Sequence, residues 1–420
     1  MGDEAVDAVA AKRQAIERFA RHLNPGKARA LAANGLDVLE WHREGAVVED
    51  ADGRAYIDCI TGFGVFNIGR RHPRAIAALK GALDDGVDIG DFMLMSKPKA
   101  DLGAKLAEVS PAGLSASMLS TGGGEAVDFA LKLARATTGR PGVLSTDKGY
   151  HGHSGFALSA AGRLAFRAPF EPLLADFTQV PFGDIDAMAD AVDETIGAII
   201  VEPIQGEGGI NVAPDDYLAG LRALCDGENL LLIFDEIQSG MGRTGKLWAS
   251  EHWGVEPDIM TIGKSLSGGV YPITATVYRS DYLGLLDKRP FVHLSTFGGA
   301  DVGCLVALEV FAILEDEGLL ESATARGDQM AAGFDRLAGI YPQLLKEARG
   351  KGLMRGVEYH EPIGPQMARQ LASRGVLVLM SGNDPAIQRV MPVLGISPQQ
   401  VDTVLGAFED SLAAILEEKD

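Results

Sequence analysis

The sequence predicts an α/β fold, with a large domain whose mostly parallel sheet lies under helices and a smaller α+β domain after it. Three observations carry this expectation. Short apolar runs recur between helical stretches at residues 117–119, 198–201, 230–234, 259–262 and 273–277. They are apolar on both faces, as strands are when helices cover both sides of a parallel sheet. Several end in Gly, Asp or Glu, at the strand ends where α/β folds place ligand chemistry. The length of 420 residues suits two domains, or one large domain with a smaller partner.

The elements follow in order. Residues 5–23 read as an amphipathic helix, stopped by the breaker Asn24-Pro25-Gly26. From 46 to 60 the pattern alternates around Asp52-Gly53, a hairpin signal. Residues 73–83 and 100–109 are helical in period. After the apolar runs come a helix over 301–317, a second through 340, a strand-like 353–359 and a helix over 365–374. A strand-like 376–380 and a terminal helix from Pro398 close the chain. The 301–317 helix joins the two parts.

Composition excludes several classes. Hydrophobic residues make up 46% and charged residues 23%, which excludes a disordered chain. Glycine contributes 52 residues, about 12% against ~7% in ordinary chains, a sign of tight turns or of backbone close to a ligand. A net charge of −20 repels nucleic acid and anionic membranes, and leaves room only for a local pocket that takes a small anion. Cys59, Cys225 and Cys304 are too few and too scattered for a disulfide framework or a zinc cluster. The first residues lack a signal peptide's basic and apolar regions, and no apolar run approaches the ~18 residues of a membrane span. The expectation is a soluble, cytoplasmic protein without metal.

Two glycine motifs point towards nucleotides and then fail. Gly240 to Gly245 matches GxGxxG, but four residues separate it from its strand and no clear helix follows. Gly240 to Lys246 matches most of a phosphate loop, but Leu247 stands where magnesium needs a hydroxyl.

A different constellation fits better. Asp235 emerges at the end of the apolar run 230–234, and Lys264 follows the run 259–262 between Gly263 and Ser265-Leu-Ser-Gly-Gly269. A lysine in that setting can form a Schiff base with an aldehyde cofactor. Pyridoxal phosphate then needs three further things. Thr121-Gly-Gly-Gly124, opening a helix, offers backbone N–H groups to its phosphate. Tyr150, followed by His151 and Gly152, offers an aromatic face. Asp235 offers the carboxylate that keeps the pyridine nitrogen protonated.

Across residues 20–415 the chain resembles the class III (ornithine/ω-amino acid type) aminotransferases of fold type I, and its motifs look closest to putrescine aminotransferases. The resemblance rests on His22-Leu-Asn-Pro-Gly26, Tyr56-Ile-Asp-Cys-Ile-Thr-Gly-Phe-Gly64, Glu202-Pro-Ile-Gln-Gly-Glu-Gly-Gly209, Asp235-Glu-Ile-Gln238 with Gly242-Arg-Thr-Gly245, Lys264 beyond them, Ser295-Thr-Phe-Gly-Gly299 and Glu347-Ala-Arg-Gly-Lys-Gly352. It implies a seven-stranded sheet, an N-terminal segment (1–60) packed on a small domain (306–420), and a large cofactor domain (61–305).

The resemblance also implies roles. Lys264 would hold pyridoxal 5'-phosphate and shuttle a proton, while Asp235 would pair with the ring nitrogen and Gln238 would sit near the ring hydroxyl. Tyr150 would stack on the ring, Gly123 and Gly124 would meet the phosphate, and His151 and Glu202 would complete the cofactor's surroundings. Thr296 would reach the phosphate from a second subunit, which implies a homodimer. Arg389 would take a substrate carboxylate and Glu207 would cover it otherwise, with Phe63 and His153 at the substrate entrance. The substrates implied are an amine donor and a keto-acid acceptor; the alternative is an aminomutase, racemase or decarboxylase of the same fold. Two departures stand out. Gly122-Gly-Gly-Glu125 replaces the usual Ser-Gly-Thr-Glu, and His153 stands where glutamate-using relatives often carry an arginine.

Overall fold

The computed structural model describes residues 2–87 and 94–418. Its centre is one seven-stranded sheet, in the spatial order Leu114–Ser120, Thr274–Arg279, Ile259–Ile262, Leu231–Asp235, Ile196–Val201, Gly142–Thr146, Phe177–Val180. Thr274–Arg279 runs antiparallel to both neighbours; every other pairing is parallel.

Alternation along each strand divides the core. Ala198, Ile200 and Ile233 face the helix Gly123–Thr138 and its buried Val127, Phe129 and Leu131. Ile199, Val201, Leu232 and Phe234 face the opposite way, against Tyr217, Leu218 and Leu221 of the helix Tyr217–Glu228. Successive side chains of a strand point to opposite faces, so a run apolar throughout belongs between two helical layers. Each Val, Leu, Ile or Phe among them, fully buried, contributes about 1.5–3 kcal/mol. This arrangement fixes the register of the strand ends that carry Glu202 and Asp235.

Two strands of the large sheet escape the apolar-run signal. Gly142–Thr146 is wholly buried yet ends in Ser145 and Thr146, and their hydroxyls are used: Gln205 Nε2 donates to Thr146 Oγ1 at 3.1 Å, and Gln179 Nε2 to Ser145 Oγ at 3.4 Å. Phe177–Val180 is the sheet edge and carries polar residues to solvent.

Helix starts follow side-chain caps. The breaker at Asn24 also begins a second helix, Pro25–Ala33, because Asn24 Oδ1 accepts from Lys27 N at 2.9 Å. Ser96 caps Lys97–Val109 in the same way, which sets that start three residues earlier than the apolar period implies. Ser397 and Gln400 form a reciprocal capping box for the terminal helix Pro398–Glu417.

The strand-like 376–380 divides between two sheets. Val376–Leu377 pairs in parallel with Ala55–Asp58, next to the hairpin partner Val47–Asp50, while Leu379–Met380 pairs with Ile387–Val390. The residues just before 60 and those after 376 therefore share a sheet. Leu345–Lys351, too polar to read as a strand, is an edge strand against Met354–Tyr359.

Candidate active site

The ends of Ile196–Val201, Leu231–Asp235 and Ile259–Ile262 converge on a cavity of about 180 Å³. Asp235 is the last residue of its strand and is buried. Its Oδ2 accepts from His151 Nδ1 at 2.8 Å, and its Oδ1 from Thr261 Oγ1 and Ile237 N, both at 3.1 Å. Thr261 reaches it because the parallel register sets the two residues side by side. Burial pulls the His151 pKa down, but the hydrogen bond and charge of Asp235 outweigh that and hold it above its ordinary value.

Lys264 stands two residues past Ile262, with φ at +45°, a left-handed conformation that costs a non-glycine residue about 1–2 kcal/mol. Such strain persists only where the surroundings enforce it, and it concentrates at functional sites. Gly263 is required just before it, since a methyl there would lie 2.9 Å from Thr274 Cγ2. Burial brings the Lys264 ammonium down to about 8, although Glu207, Asp235 and Glu202 pull the other way. Glu202 is fixed by Tyr150 N and Gly206 N, each donating at 2.9 Å. Burial pushes its carboxyl up to about 7.

The helix Gly123–Thr138 starts at the cavity, and no side chain caps its first turn. Glu125 turns back to accept from Thr121 N and Oγ1, each at 2.8 Å, so it does not compete for the amides of Gly123 and Gly124. Gly124 also has a packing reason: Ser154 Oγ lies 2.7 Å from where its methyl would be. Gln238 donates through Nε2 to Phe63 O at 3.2 Å, and its Oε1 is buried with no partner among the described residues.

At the rim, Arg389 Nη1 donates to Glu207 Oε1 at 2.5 Å, and its guanidinium lies 4.8 Å from the Phe63 ring centre. Tyr150 lines the cavity. His153 does not; it is exposed and packs edge-on to Tyr150 at 5.4 Å. Thr296 is also exposed and does not line the cavity of its own chain. The remaining cavity residues expected from the sequence, Gly123, Gly124, His151, Glu202, Glu207, Asp235, Gln238 and Lys264, are brought together.

The loop 240–246 does structural work. Arg243 is completely buried and donates to Leu353 O at 3.1 Å, with Pro392 O and Asn67 Oδ1 as further acceptors. Methyls on Gly242 or Gly245 would collide with Leu394 or Thr324, so tight packing accounts for these glycines.

Sequence reasoning overlooked Thr261, Ile237 and Ser154. Ile237 lines the cavity and touches the faces of Gly123 and Gly263. It sits in the turn just past Asp235, where Glu236 turns into the core to accept from Ser239 Oγ and Ser250 N. Thr261 and Ser154 gave no signal, because their positions depend on strand register and on a loop fold.

A strained lysine, a buried carboxylate and an open helix start at the carboxyl ends of one sheet's strands define an enzyme of the pyridoxal-phosphate kind. The aminotransferase class-III family model matches residues 33–412, and the chain belongs to that family. It is 41% identical over 394 residues to an uncharacterized aminotransferase of Archaeoglobus fulgidus, covering 94% of this chain and 92% of that one. The ornithine aminotransferase of Toxoplasma gondii superposes with a TM-score of 0.86 at 33% identity, covering 91% of this chain and 92% of that one. An (S)-enantioselective omega-transaminase of Thermomicrobium roseum superposes with a TM-score of 0.88 at 30% identity, covering 96% and 99%.

Class III aminotransferases depend on pyridoxal phosphate. The residues here fit that group. Around the cavity Gln238 Oε1, His151 Nε2 and Ser154 Oγ are buried polar atoms with no partner among the described residues, the helix start presents open amides, and Asp235 supplies an anchored anion.

Proposed function

We propose that this aminotransferase moves an amino group from an amine or ω-amino compound to a keto acid, with Lys264 as its proton carrier and Glu207–Arg389 as its carboxylate gate. Diamine-like donors and biosynthetic aldehydes or ketones are the substrates this reading favours. The observation that carries it is the strained, half-buried Lys264, whose pKa of about 8 leaves an amine able to lose a proton near neutrality.

When bound, pyridoxal phosphate supplies an aldehyde that takes up amines and a ring that absorbs the electron pair left on carbon when a proton departs. Lys264 Nζ would hold the aldehyde. The Lys264 amine, once free, would take the proton from the substrate carbon on one side of the transferred nitrogen and deliver it to the carbon on the other side. Asp235, aimed by His151 and Thr261, holds a proton on the ring nitrogen. Gln238 would meet the ring hydroxyl, and Glu202, accepting from Tyr150 N, holds the Tyr150 loop at the cavity where the ring would lie. The amides of Gly123 and Gly124 bind the phosphate.

Arg389 takes the carboxylate of an amino or keto acid, and Glu207 neutralises it when the substrate is an amine without one. Phe63 supports Arg389 from below, and His153 borders the entrance. Thr296 reaches the phosphate of a second copy, so a homodimer completes the site. Its neighbours Phe291, Leu294 and Phe297 are exposed in the single chain, which supports a partner there. An N-terminal segment to 60, a cofactor domain to 305 and a small domain to 420 fit the shared sheet around residue 57. The three unpaired cysteines fit a reducing cytoplasm.

A donor screen with pyruvate and 2-oxoglutarate as separate acceptors tests this. One amine should disappear for each keto acid aminated; turnover of an amine without a keto acid would overturn the reading.

A further inference from the structure

Arg163 precedes the short helix Leu164–Arg167, and its guanidinium lies 4.6 Å from the centre of the Phe166 ring. Phe166 in turn packs edge-on to Tyr150 at 5.8 Å, so an aromatic link holds Arg163 at the cavity mouth. Opposite is Gly382, and a methyl built there would lie 3.1 Å from Arg163 Nη1 and 3.2 Å from Glu207 Oε2. The two charges thus approach one point without forming an ion pair, because the other oxygen of Glu207 is held by Arg389. The main chain of Glu207 is pinned: Ser381 Oγ and Asn383 Nδ2 both donate to its carbonyl oxygen at 2.8 Å. Only its side chain is left to turn.

We infer that Arg163 is the second partner of Glu207, receiving that carboxylate when a substrate carboxylate takes Arg389. The inference rests on the reading of Arg389 as the carboxylate-binding residue. An arriving anion makes the place of Glu207 beside Arg389 repulsive, and a half-buried carboxylate released without a partner is costly. Arg163 removes that cost at a distance a side-chain rotation covers. It is a positioning residue, which acts on substrate binding through Glu207. By favouring the open form, it raises the apparent affinity for any carboxylate, since that affinity scales with the fraction of protein already open.

Propionate and glutarate, one carboxylate and two, are suitable unreactive probes, titrated by calorimetry into the cofactor-loaded enzyme. Arg163→Met should weaken both by a similar factor of roughly ten, within the range of site-to-site couplings. Arg163→Lys should keep most of the binding and serves as the control for folding. In a Glu207→Gln background the Arg163→Met effect should vanish, because nothing charged is left to receive. Weakening of glutarate alone would overturn the inference and assign Arg163 to the ligand's second carboxylate. An unchanged affinity, or a loss that persists in the Glu207→Gln background, would overturn it too. Arg389→Ala tests the underlying reading separately: if it leaves propionate binding intact, the carboxylate site lies elsewhere.

Discussion

His151 Nδ1 donates to Asp235 Oδ2 at 2.8 Å with both side chains buried, and Thr261 Oγ1 holds the other oxygen of Asp235 at 3.1 Å. The aspartate is therefore aimed before any ligand arrives. Such preorganisation matters most in a cavity that excludes water, where reorienting a charge would add to the barrier.

Asp235→Asn should fold normally and lose roughly 10²–10³-fold in turnover, the scale of breaking a buried ion pair. His151→Asn should lose less, because Thr261 and the Ile237 amide still orient Asp235. Steady-state rates beside thermal denaturation of each variant check this, and wild-type turnover in Asp235→Asn would show that another group serves the ring nitrogen.

Lys264 sets a pH dependence. Its free value is 10.5 and its folded value about 8. Below pH 8 the cofactor-free protein carries a buried ammonium that opposes folding. Between 8 and 10.5 the folded state sheds that proton while the unfolded chain keeps it, so stability rises with pH through that window. Cofactor-free Lys264→Met should therefore melt above cofactor-free wild type at pH 7, and the gap should close by pH 10.5. A constant gap across that range would contradict the burial argument.

Arg389→Ala should slow the half-reaction of the carboxylate-bearing substrate by about 10–100-fold, since a buried charged hydrogen bond contributes about 1.5–3 kcal/mol. The amine half should be spared. Single-turnover traces of the two halves separate this from a structural ion pair, for which both would fall together.

What the sequence made legible divides along physical lines. Strands apolar on both faces, such as Ile196–Val201, announce themselves, because burial between two helical layers selects for that composition. Gly142–Thr146 does not, since its hydroxyls are satisfied by Gln179 and Gln205 from distant parts of the chain. The site follows the same rule. Asp235 and Lys264 stand at strand exits and could be read from local pattern. Thr261, Ser154 and Arg163 act through neighbours that only the folded register supplies. Residues 376–380, one run in sequence, serve two sheets, and no local pattern encodes that division.

The proposed second subunit makes its own prediction. Phe297→Asp, in the exposed apolar loop beside Thr296, should yield monomers by sedimentation and release pyridoxal phosphate more readily. Thr296→Val should leave the dimer intact and weaken the cofactor by roughly tenfold, the loss of one hydrogen bond to a charged group. Unchanged cofactor affinity in both variants would mean that each chain completes its own site.

The central claim is that Lys264 carries the cofactor, and borohydride reduction of the loaded enzyme followed by peptide mass mapping tests it most directly. The phosphopyridoxyl mass should appear on the peptide containing Lys264 and be absent from Lys264→Ala treated identically. Labelling of a different lysine, or of none, would contradict the account.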